Sequence, residues 1–99
     1  MTDQDATPRS SDRQMQELIT EIARVLVDAP DEVAVEAVPA GDSTSLRLRV
    51  APGDVGKVIG KQGRTVRSLR TILGAVSMKS QHRYTLDILE EDREPRPQP

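Results

Sequence analysis

The spacing of apolar residues predicts a long helix near the start of the chain. These residues recur at intervals of three, one, three, three and one, which places them on one helical face. They are Met15, Leu18, Ile19, Ile22, Val25 and Leu26. Ser11, with Gln14 three residues later, has the pattern of a helix N-cap. Pro30 predicts that the helix ends near Asp28, because a residue that precedes proline disfavours helical geometry.

Strict alternation of apolar and polar residues predicts three strands. The first lies over residues 33–37, the second over 46–50 and the third over 84–88. Each would bury one face and expose the other to water. A loop over residues 39–43, which contains Pro39 and Gly41, is predicted between the first two strands.

Two further helices are predicted between the second and third strands. Asp54 is placed to cap a short helix over residues 55–59, and a longer helix follows over residues 64–79. Gly74 lies within the longer helix and weakens its propensity slightly. The apolar residues that predict its buried face are Val66, Leu69, Ile72, Leu73 and Val76. The resulting order, α-β-β-α-α-β, predicts a single α+β domain.

The two ends of the chain are polar and contain no apolar periodicity. We predict a disordered N-terminal tail over residues 1–11, a folded domain over 12–90 and a charged, proline-rich tail over 91–99. No apolar run approaches the roughly 20 residues of a membrane span, and the N-terminus lacks the features of a signal peptide. A cytoplasmic location is therefore expected.

The amino-acid composition excludes several classes of site. The chain of 99 residues has no cysteine, so neither a disulfide nor a thiolate metal site can form. Tyr84 is its only aromatic residue, and Phe and Trp are absent. The core must therefore be aliphatic, and a surface that stacks nucleic-acid bases on aromatic rings is excluded.

Charge is strongly segregated along the chain, although the net charge is only −2. The segment from Gly56 to Arg83 contains no Asp or Glu. Its basic residues are Lys57, Lys61, Arg64, Arg67, Arg70, Lys79 and Arg83. Solvated helix surfaces usually mix both signs, so this segregation favours an anionic partner over a merely solvated basic face.

A short loop within this basic segment has the composition of a phosphate clamp. In Gly60-Lys61-Gln62-Gly63, glycine at both ends allows a sharp turn and a close approach to a ligand. The Lys61 and Gln62 N–H groups could then meet a phosphate at the start of the following helix, with the Gly63 and Arg64 N–H groups behind them. A Gly-x-x-Gly loop of this kind grips the sugar-phosphate backbone in KH domains.

The assembled pattern resembles a type II K-homology (KH) domain, and residues 50–64 are similar to the KhpA family of small bacterial KH proteins. The resemblance covers about residues 12–90. It implies an α+β fold in which three helices pack on one face of a three-stranded sheet. It also implies RNA binding, a role as an RNA chaperone or post-transcriptional regulator, and a part in regulating cell shape and the cell wall. Homodimers, or heterodimers with a larger KH protein of the Jag family, are implied as well.

From the loop and this resemblance we predict a site for single-stranded RNA. Its residues are Gly60, Lys61, Gln62, Gly63, Arg64, Lys57, Ile59 and Arg67. Arg64 and Arg67 would flank the groove and Lys57 would lie on its rim. By resemblance, Ile59 contributes to an aliphatic floor for the bases, although a place in the core is an equal alternative. Val58 is interpreted as a core residue.

Other polar residues have simpler interpretations. Arg47 and Arg49 alternate out of the second strand and would face solvent if the helices cover only one side of the sheet. His82, the only histidine, is predicted to be a surface residue in a turn, neither a metal ligand nor a base.

Two other functions were compared with RNA binding. The chain has neither a P-loop nor a dinucleotide-binding motif, and no recognisable nucleophile and base, so we predict no enzyme activity, no cofactor and no metal site. A protein-interaction module with little RNA binding remains the alternative. Its contact surface could include Ile72, Gly74, Ala75 and Met78.

Overall fold

The computed structural model describes residues 10–89, so the predicted tails lie almost entirely outside the described residues. The helices are α1 (Ser10–Leu26), α2 (Val55–Ile59) and α3 (Arg64–Ser80), and the strands are β1 (Ala34–Ala40), β2 (Ser43–Arg49) and β3 (Arg83–Leu89). Short 3-10 turns lie at Pro30–Glu32, Pro52–Asp54 and Lys61–Gly63. The predicted α+β class and the order α-β-β-α-α-β are confirmed.

The strands form one mixed sheet in the order β1-β2-β3. β1 and β2 are antiparallel, whereas β2 and β3 are parallel and are connected through α2 and α3. Side chains of β2 and β3 alternate between buried and exposed positions, and α1 and α3 pack on the buried face. The opposite face carries Arg47 between Glu36 and Asp87 in the strand register, and all three are exposed.

An aliphatic core lies between the sheet and the helices. Leu46 and Leu48 of β2 are fully buried against Ile19 of α1, Val58 of α2 and Leu73 of α3. The interpretation of Val58 as a core residue is therefore confirmed. Because α2 has one turn only, burial of Val58 is what fixes the short helix, and the loop that follows it, against the rest of the domain.

The buried faces of the long helices are narrower than predicted. Leu18, Val25 and Ile72 were predicted to be buried but are 37%, 80% and 44% exposed. In α1 the small side chain of Ala23 is buried instead, at 2% exposure. Apolar periodicity gives the side of a helix that faces the core, but the width of the contact depends on how closely the helix approaches the sheet.

The hairpin between β1 and β2 is tighter than predicted. Both strands extend into the segment predicted to be a loop, and only Gly41 and Asp42 lie between them. Gly41 has a φ of 66°, which glycine adopts easily in such two-residue turns. Pro39 belongs to β1, which is an edge strand of the sheet, where a residue without an N–H group is tolerated.

Ser11 is not the N-cap of α1, and Asp54 occupies the predicted N-cap position of α2 without a side-chain cap bond. Ser11 lies inside α1, and its hydroxyl is 2.7 Å from the Tyr84 hydroxyl. The Asp54 side chain makes no cap bond to α2, and its carboxylate accepts hydrogen bonds from the Asp28 and Ala29 amides at 3.2 and 3.0 Å. Asp54 therefore joins the end of α1 to the start of α2.

The prediction that His82 lies on the surface is also wrong, because this residue is only 3% exposed. His82 Nε2 is 2.7 Å from the Thr44 hydroxyl, which also lies 3.2 Å from both carboxylate oxygens of Asp12. The Tyr84 hydroxyl donates to Asp12 Oδ1 at 2.7 Å. We call Asp12, Thr44, His82 and Tyr84 the buried polar cluster. It connects the start of α1 to the hairpin and to the start of β3.

Candidate nucleic-acid interface

The loop between α2 and α3 has a backbone that depends on its glycines. Gly60 (φ 81°, ψ 171°), Gln62 (φ 57°) and Gly63 (φ 74°) all have positive φ values. The turn is closed by hydrogen bonds from the Gly60 amide to the Gly56 carbonyl (2.9 Å) and from the Gly63 amide to the Gly60 carbonyl (3.0 Å). The Arg64 amide donates to the Lys61 carbonyl.

Two backbone N–H groups at the tip of this loop are not used to close it. Within residues 10–89, the Lys61 and Gln62 amides take no part in the hydrogen bonds that close the turn, and both residues are exposed. The Gly63 and Arg64 amides, which the sequence suggested as further donors, are instead used inside the loop. The loop thus offers two adjacent donors beside the N-terminus of α3, where the helix dipole favours an anion.

Gly60 and Gly63 are required for different reasons. A Cβ on Gly60 would lie 2.7 Å from Thr65 Cβ and 2.9 Å from the Thr65 amide nitrogen, whereas a Cβ on Gly63 would meet nothing within 4 Å. The Gly60 backbone also lies in a region that essentially only glycine occupies, whereas Gly63 is left-handed helical. Contact with Thr65 is thus one reason why position 60 requires a glycine. No sequence pattern indicated this role of Thr65.

We expect Gly60→Ala to destabilise the domain by about 3 kcal/mol, because it combines this clash with a disallowed backbone conformation. Gly63→Ala should cost only about 1 kcal/mol, because left-handed geometry is its sole penalty. Urea unfolding of both variants measures the difference. Equal losses of stability would contradict the role assigned to Thr65.

Three cations surround the two donors. Lys61, Arg64 and Arg67 are exposed, and among residues 10–89 no carboxylate lies within ion-pair distance of their side chains. Arg64 and Arg67 are separated by one turn of α3, so they lie on the same side of the helix. Unpaired cations on a surface attract a polyanion without first having to break an ion pair.

Lys57 and Arg70 differ from these cations because both already have partners. Lys57 Nζ lies 3.5 Å from Asp28 Oδ2 and 3.8 Å from Asp54 Oδ1. The Arg70 guanidinium donates to the Leu86 carbonyl of β3 at 2.9 and 3.3 Å. The contact of Lys57 with Asp28 and that of Arg70 with Leu86 join residues distant in sequence, so the count of basic residues gave no sign of them.

The remaining candidates lie at the margins of this surface. Ile59 is half-buried and packs against the core, which agrees with the core alternative, while its contact with a base stays a prediction. Arg47 and Arg49 are exposed on the face of the sheet opposite the helices, as expected if the helices cover one side only. No group of three His, Asp or Glu side chains in the described part of the chain is arranged to hold a metal ion.

A family model described as the KH domain of KhpA and KhpB matches residues 16–88. The chain belongs to this KH-domain family. The match includes α2, the loop and α3, so the Gly-x-x-Gly loop of this KhpA/KhpB-type domain lies inside the matched region.

Curated relatives of this KH domain are close in sequence. The chain is 55% identical over 75 residues to the RNA-binding protein KhpA of Treponema pallidum, with 76% of this chain and 94% of the relative covered. It is 47% identical over 75 residues to the RNA-binding protein KhpA of Clostridium acetobutylicum, with 76% of this chain and 100% of the relative covered.

A solved structure shares the fold of this KH domain. A crystal structure of an Aquifex aeolicus Era variant superposes with a TM-score of 0.50 at 16% identity. The matched region covers 83% of this chain and 31% of the Era chain. Within residues 10–89 of our structure, no helix has both the length and the apolar character needed to cross a membrane.

Proposed function

We propose that this chain binds single-stranded RNA and holds the backbone of about four nucleotides at the Gly60–Gly63 loop. The observation that carries this proposal is the pair of amides at Lys61 and Gln62 that take no part in closing the loop. They lie beside the side chains of Lys61, Arg64 and Arg67, which have no carboxylate partner among residues 10–89. The names of the relatives, RNA-binding protein KhpA, support the same function.

Each predicted site residue has a part in this proposal. Gly60 and Gly63 shape the loop, and the Lys61 and Gln62 amides contact a phosphate. Arg64 and Arg67 flank the strand of RNA, and Ile59 offers its exposed part to a base. Lys57 has a smaller part, because carboxylates already lie near its charge. The sole aromatic ring, Tyr84, is buried, so no base stacks on it.

The affinity of the chain for RNA should depend strongly on salt. Release of counterions from single-stranded RNA gives a log–log slope of about −0.7 for each phosphate neutralised. With contributions from Lys61, Arg64 and Arg67, we expect a slope of about −2. Fluorescence anisotropy titrations of a labelled single-stranded RNA across a salt series measure it. An affinity that does not change with salt would contradict the proposed phosphate contacts.

A lone domain offers little contact surface, and we propose that the chain acts as a homodimer or with a larger KH protein of the Jag family. A strip on α3 suits such a contact, because Ile72 and Met78 are 44% and 81% exposed and Gly74 and Ala75 lie between them. In this form the protein would act in the cytoplasm as an RNA chaperone or post-transcriptional regulator, with effects on cell shape and the cell wall.

Self-association should raise the affinity for long RNA. A dimer presents two loops, so an RNA long enough to reach both should bind at least about tenfold more tightly than a four-nucleotide fragment. Sedimentation of residues 11–90 should show the dimer, and Met78→Glu, which places a charge on the strip, should weaken it. A strict monomer that shows no gain on longer RNA would leave a hetero-partner as the source of binding strength.

If the strip forms dimers while the loop binds no RNA, the alternative function is favoured, that of an interaction module with a KH fold. The sedimentation and salt experiments separate these two functions, because each measures one surface alone.

A further inference from the structure

We propose that Arg70 is a specificity-determining residue, which selects RNA bases that present two adjacent hydrogen-bond acceptors near the Gly60–Gly63 loop. Guanine carries such a pair at O6 and N7, and cytosine carries one at N3 and O2. Adenine and uracil offer no such pair on their Watson–Crick and Hoogsteen edges. The proposal rests on the proposed RNA-binding function, because it assigns one further contact to the same bound strand.

The guanidinium of Arg70 is held in place by the backbone of β3. Its Nε and Nη2 atoms lie 3.3 and 2.9 Å from the Leu86 carbonyl oxygen, so one side of the planar group is bound to that oxygen. Because β3 is an edge strand, this contact lies at the border between α3 and the edge of the sheet. The contact fixes the direction in which the rest of the guanidinium points.

The other donors of this guanidinium are available to a ligand. An arginine has five N–H donors in a planar fork, and the Leu86 carbonyl takes the Nε donor and one Nη2 donor. The pair at the end of the fork, one donor on Nη1 and one on Nη2, has no hydrogen-bond or ion-pair partner among residues 10–89. Arg70 is also exposed. Two parallel donors of this kind match two adjacent acceptors on a base.

Arg70 adjoins the cations beside the loop. Arg64, Arg67 and Arg70 follow one another at intervals of three, so each is a neighbour of the next on the surface of α3. The row is only about 9 Å long along the helix axis. Because three residues fall short of a full helical turn, the row winds around α3 and reaches β3 at Arg70. A strand with a phosphate at the loop therefore brings its neighbouring nucleotides within reach of Arg70.

The surface between Arg70 and the start of α3 suits a base better than a phosphate. The Tyr84 amide donates to Ser77 Oγ at 2.9 Å, and Arg70 donates to the Leu86 carbonyl, so the end of β3 lies toward the start of α3. Ile88 follows Leu86 in that direction and is half-buried against the core. Its aliphatic surface can carry the flat ring of a base, whereas a phosphate is better served by the exposed amides of the loop.

Prior fixation of the guanidinium allows it to discriminate between bases. A mobile side chain can adjust to any acceptor and loses rotamer entropy when it binds. Arg70 is already ordered by the Leu86 carbonyl, so its end-on donors meet a base in one orientation. A well-oriented pair of hydrogen bonds to a base is expected to discriminate by about tenfold.

The first arm of the test compares four single-stranded RNAs with the full chain. One is a short oligouridine, and the others carry a single central guanosine, cytidine or adenosine. Fluorescence anisotropy should show about tenfold tighter binding of the guanosine or the cytidine version, or of both, than of the other two. If guanosine gives the gain, its replacement by 7-deazaguanosine, which lacks N7, should abolish the gain and thereby assign the contact to the base.

The second arm asks whether Arg70 causes the preference. Arg70→Lys keeps the charge but loses the fork, so this variant should bind all four RNAs with similar affinity. The control Arg47→Lys makes the same replacement at an exposed position on the opposite face of the sheet and should keep the preference of the parent. Urea unfolding establishes that both variants are folded.

The outcomes separate this inference from the proposed function. Equal binding of all four RNAs by the parent would overturn the role of Arg70 and leave RNA binding at the loop intact, and this result does not depend on any variant. A preference that survives in Arg70→Lys would overturn the inference as well. If the parent binds none of the RNAs, the proposed function fails, and the selection of bases by Arg70 fails with it.

Discussion

Replacement of Lys61 and Gln62 by aspartate should abolish RNA binding without unfolding the domain. The change removes one positive charge and adds two negative ones beside the amides proposed to contact a phosphate. We expect the affinity for single-stranded RNA to fall at least about a hundredfold at low salt. Both side chains are exposed, and aspartate is tolerated in the left-handed conformation of Gln62, so the unfolding midpoint should change little.

The chain contains a closely matched control for this variant. Lys79 and Gln81 lie at the opposite end of α3, both are exposed, and Gln81 has the same φ of 57° as Gln62. K79D/Q81D therefore makes the same chemical replacements, with the same change of net charge and a similar backbone conformation. It should keep most of the RNA affinity. Comparable losses in the two variants would show that overall charge, rather than the loop, governs binding.

Asp12→Ala should produce a large loss of stability. Asp12 is fully buried, and its carboxylate is the acceptor for the Tyr84 hydroxyl and lies within hydrogen-bonding distance of the Thr44 hydroxyl. Alanine would leave these buried groups without that acceptor, and we expect the free energy of unfolding to fall by about 3 kcal/mol. Urea unfolding, followed by the circular dichroism of the helices, measures it.

Two further variants make this result specific. Gln14→Ala changes an exposed residue of the same helix and should lower the free energy of unfolding only slightly. Asp12→Asn keeps the shape of the side chain and one acceptor oxygen, so its loss of stability should lie between those of the other two variants. If Asp12→Ala unfolds at the same urea concentration as Gln14→Ala, the buried polar cluster does not stabilise the domain.

Local patterns were sufficient to predict the framework of the fold. The start of α3 at Arg64 was predicted because glycine precedes it and apolar periodicity begins there, and its end was predicted to within one residue. The exposure of Val25 and Ile72 was not predicted, because periodicity records which residues are apolar and not how much of each helix the sheet covers.

Contacts between distant residues explain what the sequence could not show. His82 bonds to Thr44, 38 residues earlier, and Thr44 bonds to Asp12, a further 32 residues earlier. No local sequence pattern connects these three residues, so His82 was predicted to lie on the surface although it is buried. In the loop the glycines were recognised, but the clash with Thr65 that a side chain at position 60 would cause depends on three-dimensional packing.

The position of Pro39 has a consequence for assembly. β1 and β3 are the two edges of the sheet, and exposed edges can recruit strands from other molecules into open-ended fibres. Pro39 has no N–H group to offer to such a strand, so β1 is a poor template for extending the sheet. Open-ended growth by addition of strands from other copies is therefore disfavoured at this edge of the sheet.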